Sequence, residues 1–97
     1  MTTVEPVVTH RPAAASRRGT FDLDRDGKRI GFLSYSFSGD DTIMIDYVEV
    51  DPTLRGHGLG RRLVDAAVAW AREHAHQVVP LCSYARAVMR ADAQTER

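Results

Sequence analysis

Apolar and polar residues alternate with a two-residue period over much of the first half of the chain. Phe21 and Leu23 alternate with Asp22 and Asp24, the mark of a strand buried on one face. After the turn Arg25-Asp26-Gly27, residues 29–37 (RIGFLSYSF) set Phe, Leu and Tyr against Gly and Ser. After the turn Ser38-Gly39-Asp40-Asp41, residues 42–50 (TIMIDYVEV) form the strongest strand pattern in the chain. Three strands joined by two tight turns predict an antiparallel meander. Asp51-Pro52 ends it, since Pro has no N–H to give a ladder. The period then changes. Leu59, Leu63, Ala66, Ala67 and Trp70 recur every three or four residues, which predicts an amphipathic helix over residues 59–75. Residues 77–81 (QVVPL) read as a short strand, with Pro80 marking an edge. Ser83 is placed to cap a last short helix over residues 84–90. A return through a whole helix predicts that the fourth strand lies parallel to the third. The fold class is therefore α+β: a three-stranded antiparallel meander, a long helix, a fourth strand parallel to the third, and a short C-terminal helix.

Residues 1–17 show no sustained period. With Pro6, Pro12 and an alanine run they read as a flexible N-terminal tail. Residues 18–91 read as one domain, and residues 92–97 as a frayed end. The chain has 97 residues, with 43% hydrophobic and 27% charged, which fits one ordinary globular domain. Thirteen basic residues balance thirteen acidic ones, so the basic excess of a nucleic-acid module is missing. No segment has the roughly 20 apolar residues of a membrane span. One cysteine, Cys82, rules out an intramolecular disulfide and fits a reducing, cytoplasmic setting. His74 and His76 are two apart at a helix end, and no set of residues has metal-ligand spacing. The small core makes either a monomer or a homodimer plausible.

The candidate chemistry lies between strand and helix. Residues 55–60 read Arg-Gly-His-Gly-Leu-Gly. A glycine-rich turn at a helix start presents unpaired N–H groups and the positive end of the helix dipole, so it suits a phosphate or diphosphate. No Gly-Lys-Ser/Thr follows, which excludes a Walker loop. The antiparallel strands before it and the glycine spacing fit the Rossmann fingerprint poorly.

The whole run Val48-Glu49-Val50-Asp51-Pro52-Thr53-Leu54-Arg55-Gly56-His57-Gly58-Leu59-Gly60-Arg61-Arg62-Leu63 resembles the acyl-coenzyme A motif of the GNAT superfamily of N-acetyltransferases. Pro80-Leu81-Cys82-Ser83-Tyr84 is similar to the Cys-x-Tyr stretch of a small single-domain subgroup. The resemblance covers about residues 19–90. It implies transfer of an acetyl group from acetyl-CoA to a small-molecule or peptide amine, by direct attack on the thioester. It implies coenzyme contacts from Glu49, Val50, Arg55, Gly56, His57, Gly58, Leu59, Gly60 and Arg61, with Arg62 nearby. Its catalytic candidates are Cys82, Tyr84, Asp46 and Glu49.

Each candidate also has a plainer reading. Cys82 is either an acyl-accepting nucleophile or a buried inert thiol. Tyr84 is either an acid for the leaving thiolate or a packing residue. Asp46 and Glu49, three apart, fall on opposite faces of a regular strand and do not act as a pair. Tyr47-Val48 stands where the subgroup commonly has His-Thr. That departure keeps open a second possibility, a non-catalytic acyl-CoA-binding or regulatory module, and a third, a nucleotide-phosphate binder.

Overall fold

The computed structural model of the protein describes residues 5–95. In chain order it has β1 (Val7–Arg11), β2 (Arg18–Arg25), β3 (Lys28–Ser38), β4 (Thr42–Val50), a 3-10 turn (Pro52–Leu54), α1 (Leu59–Glu73), β5 (Gln77–Pro80) and α2 (Ser83–Thr95). The strands make one sheet in the order β1-β2-β3-β4-β5. The first four run antiparallel, and β5 joins parallel to β4. The α+β class and the parallel return are as the pattern predicts. The β2–β3 hairpin turns through Asp26 and Gly27, at φ 53° and 76°. Left-handed backbone at both central residues matches the right-handed twist of the flanking strands.

The leader is a correction. Val7–Arg11, inside the expected tail, pairs with β2 in the register Val7↔Asp24 to Arg11↔Thr20 and makes the meander four-stranded. Its inward side chains are Val8 and His10. The His10 ring stacks on Phe21 at 4.1 Å and 2°, and meets the edge of Trp70 at 4.7 Å. Its Nε2 is 2.7 Å from the Tyr35 hydroxyl. Imidazole thus serves here as an aromatic core residue, which hydropathy alone cannot register. On the opposite face Arg11 Nε donates to Asp22 at 2.7 Å. The C-terminal helix is also longer than expected. It starts at Ser83 itself, with Arg86 N–H donating to Cys82 O, and continues to Thr95, well into the expected frayed end. Residues 1–4 and 96–97 of the two expected tails lie outside the described residues.

Burial pushes the His10 pKa below its usual value, and the nearby His74 adds to the shift. A depressed native pKa means that the unfolded chain takes up the proton first. The corresponding stability is complete above the unfolded value near 6.5, and is lost as pH falls from there through the lowered native value. Thermal unfolding between pH 8 and pH 5 should therefore show a falling Tm in the native protein. His10→Phe, which keeps a ring on Phe21, should flatten that slope; an unchanged slope would exclude His10 as its source.

One core lies between the sheet and the helices. Leu59, Leu63, Val64, Ala67 and Ala71 of α1 pack with Leu23, Leu33, Tyr35, Ile43 and Ile45. α2 adds Ala85 and Val88. α1 stops in a Schellman arrangement, with His76 N–H donating to Ala71 O at 2.8 Å and Ala75 N–H to Arg72 O at 3.1 Å. Ala75 takes the left-handed position, φ 57°. The opposite face of β3 and β4 carries Phe32, Ser34, Tyr47 and Glu49, which are half-buried or exposed.

Candidate active site

The site begins with an irregularity in β4. Ser34 pairs with Tyr47 and Tyr35 with Ile45, so Asp46 is the extra residue of a bulge. A bulge bends its strand and increases the local twist. β5 follows β4 only over Thr42–Ile45, paired with Gln77–Pro80. Leu81 and Cys82 N–H groups then both donate to Ile45 O, at 3.1 Å each, and the two strands part. Beyond Ile45 the outer edge of β4 has no partner strand.

The phase of that edge follows from one bond. Asp51 N–H donates to Ile30 O at 2.8 Å, so residue 51 points toward β3. Strand alternation sends Glu49 the same way, and turns the N–H and C=O groups of Val48 and Val50 into the gap. Asp51 also shapes the next step. Its Oδ1 accepts from the Thr53 N–H at 2.9 Å and the Thr53 hydroxyl at 2.8 Å. These bonds hold its carboxyl below the usual carboxylate range, the backbone bond contributing most. They also fold the chain into the 3-10 turn that leads to the glycines.

Gly56 and Gly58 lie at φ 89° and 75°, where an L side chain is strained, and a Cβ on either would meet open space. Gly58 is the N-cap of α1, and the first bond of the helix is Arg62 N–H to Gly58 O at 3.2 Å. No described group accepts from the N–H groups of residues 56–61. Gly60 has a different reason to be glycine. A Cβ there would sit 2.9 Å from the Tyr84 hydroxyl and 3.0 Å from two carbons of its ring. Tyr84, in the first turn of α2, lies directly against the start of α1.

A cleft of about 580 Å³ results, lined by Val48, Glu49, Val50, Leu54, Arg55, Gly56, Gly58, Leu59, Gly60 and Tyr84. Most of the expected coenzyme residues are on its wall. His57 is not; it lines a neighbouring hollow with Arg25 and Arg62. Arg61 is turned onto α2, bonded to Asp92 and 3.7 Å from Asp65. The Asp92 hydrogen bond raises its pKa further. Arg62 reaches the N-terminal segment, donating to Pro6 O at 3.1 Å with Glu5 at 3.6 Å. Arg55 is thus the cleft-lining guanidinium, and it has no ion pair among the described residues.

Of the catalytic candidates, Glu49 and Tyr84 line the cleft and Asp46 and Cys82 do not. Asp46 sits at the bulge with Oδ2 buried and unpartnered, so the regular-strand parity used to relate it to Glu49 does not apply. Cys82 is half-buried against the core. Tyr47 stacks obliquely on Phe32, ring centroids 5.8 Å apart, on the open face. Val48 and Leu54 also line the cleft, beyond the coenzyme residues that the motif implies. The spacing of Val48, two before Val50, was the available signal.

A family model described as GCN5-related N-acetyl-transferase matches residues 20–97. The chain belongs to that family. A comparison with curated proteins yields no match. Several solved structures share the fold. One is a Klebsiella pneumoniae protein designated an acyl-CoA N-acyltransferase, 16% identical, with a TM-score of 0.69 over 90% of this chain and 80% of that one. Another is an IAA acetyltransferase from Bacillus cereus, 21% identical, TM-score 0.62, over 72% of this chain and 60% of that one. A third is aminoglycoside N-acetyltransferase AAC(6')-Iy in complex with CoA, 21% identical, TM-score 0.58, over 84% and 67%. The chain thus spans only 60% of the length of the Bacillus protein. Among the described residues no helix is long and apolar enough to cross a membrane. Nor is there a group of three or more His, Cys, Asp or Glu able to hold a metal.

Proposed function

We propose that this family member binds acetyl-CoA in the cleft and transfers the acetyl group to a primary amine. The observation that carries the proposal is the set of unpartnered N–H groups of Gly56, Gly58, Leu59 and Gly60, residues that line the same cleft as the unpaired edge of β4. Those amides, the α1 dipole and Arg55 suit a diphosphate. The Val48 and Val50 N–H groups suit the oxyanion that develops on a thioester carbonyl. The aminoglycoside N-acetyltransferase of similar fold was crystallised with CoA and with a CoA-based bisubstrate analogue, which supports that assignment.

In the transfer itself, the neutral amine attacks the carbonyl carbon. A C–N bond forms, the C–S bond breaks, and the proton lost by nitrogen balances the one gained by the thiolate. Glu49 is the carboxylate on the cleft wall, suited to accept the proton directly or through water. The Tyr84 hydroxyl is the group suited to supply one to sulfur. Asp46 and Cys82 do not line the cleft, and this reading gives them no role.

Calorimetric titration with CoA and with ATP, followed by incubation of acetyl-CoA with an amine panel and detection of free thiol, tests this. The expected result is at least about tenfold preference for CoA and thiol release with some amine. A preference for ATP would overturn coenzyme recognition. CoA binding without release on any amine would make the protein a non-catalytic acyl-CoA module, the alternative that Tyr47-Val48 at the subgroup's His-Thr position favours.

A further inference from the structure

Glu49 and Val50 line two cavities. One is the cleft described above; the other is a hollow of about 310 Å³ at the end of the β3–β4 pair, lined also by Arg29, Gly31 and Phe32. The two cavities therefore adjoin at Glu49 and Val50. The hollow is at the small end of the usual range for small-molecule sites.

We propose that this hollow is the acceptor subsite, and that it takes an amine carrying a carboxylate, such as an α-amino acid. The proposal rests on the acetyl-transfer reading above and adds the class of acceptor. Phe32 pairs across the strands with Glu49. The Arg29 guanidinium lies over the Phe32 ring, 4.8 Å from its centroid. Opposite charges therefore flank one aromatic ring. Neither is in an ion pair among the described residues, and Arg29 donates no hydrogen bond there. Asp51, the other carboxylate of the hollow, is already occupied by the N–H and hydroxyl of Thr53. Glu49 is left to receive an ammonium group, and Arg29 to receive an anion. A guanidinium held over a ring face keeps N–H groups available to a carboxylate. A polyamine would satisfy Glu49 but be repelled by Arg29 and the adjacent Lys28. A zwitterion satisfies both charges and places its amine beside the residue that also faces the coenzyme cleft.

Norleucine and pentylamine share a carbon chain and an amine and differ by the carboxylate. Each is titrated into the full-length protein with CoA present, following the ring-proton NMR signals of Phe32 and Tyr47, and CoA affinity is measured separately. Norleucine should bind at least about fivefold more tightly, the increment of a charge-assisted contact partly screened by water. In Arg29→Gln the preference should fall to about one. Equal or tighter pentylamine binding, no binding of either amine, shifts elsewhere in the protein, or a preference that survives Arg29→Gln would overturn the inference. Any of these with intact CoA binding leaves the acetyl-CoA assignment standing; loss of CoA binding in the native protein overturns both.

Discussion

Gly58→Asp is expected to weaken CoA binding about 100-fold while the domain stays folded. Gly58 is the N-cap of α1 in left-handed backbone, and it makes no side-chain cap bond. Asp tolerates left-handed backbone better than most residues, although a side-chain cap needs extended backbone and so brings no compensation here. Its cost to folding is the left-handed strain, about 1 kcal/mol. Its cost to the ligand is larger. A carboxylate about 5 Å from a phosphate, at an effective dielectric constant of about 20, opposes binding by about 3 kcal/mol. Gly58→Asn supplies the control, with nearly the same shape and no charge, and should weaken binding only a few-fold. Isothermal titration of both variants separates the two effects. If Asp and Asn weaken binding equally, charge recognition at this turn is wrong. The gap between them should also narrow in high salt, where the screening length falls to a few ångströms.

The second large effect is expected at Tyr84. Tyr84→Phe should lower kcat about 100-fold, the low end of what a positioned acid contributes. Tyr84 is 42% exposed, so removing one hydroxyl leaves no buried group unpaired and stability should change little. Gly60→Ala offers an independent route to the same place. The new methyl would press on the far end of the Tyr84 ring, which is free to swing outward. The helix itself gains up to about 1 kcal/mol from Ala over Gly. Gly60→Ala should therefore keep or raise Tm yet lower kcat. In the Tyr84→Phe background it should lower kcat little further. Additive losses in the double variant would mean that Gly60 and the Tyr84 hydroxyl act separately, and would remove the acid role from Tyr84.

Much of this architecture is legible in local chemistry. Asp26-Gly27 can only be a tight turn, because its left-handed backbone is cheap for those two residues. Leu59, Leu63 and Ala67 share one helix face at any tertiary placement, and that face is the buried one. β1 was not legible. Val8 and His10 are its only inward residues, and His10 counts as polar until Phe21, Tyr35 and Trp70 surround it. The length of α2 was hidden for a similar reason, since Asp92 meets Arg61 across 31 residues of chain.

By itself the sequence determined the order of the elements from β2 onward, the parallel return of the strand after α1, and a helix that starts on glycines with its amides unspent. These depend on backbone conformation and short-range period, which neighbouring residues settle. Only the tertiary structure decided which side chains share the cleft. A single extra residue at Asp46 bends β4 away from β5, turns Val48 and Val50 into the gap, and leaves Asp46 and Cys82 outside it. Arg61 and Arg62 were equally basic in the motif, but Asp92 and the Glu5–Pro6 segment hold them away from the cleft and Arg55 remains. Long side chains go to the nearest opposite charge, and distant parts of the chain supply that charge only once it has folded.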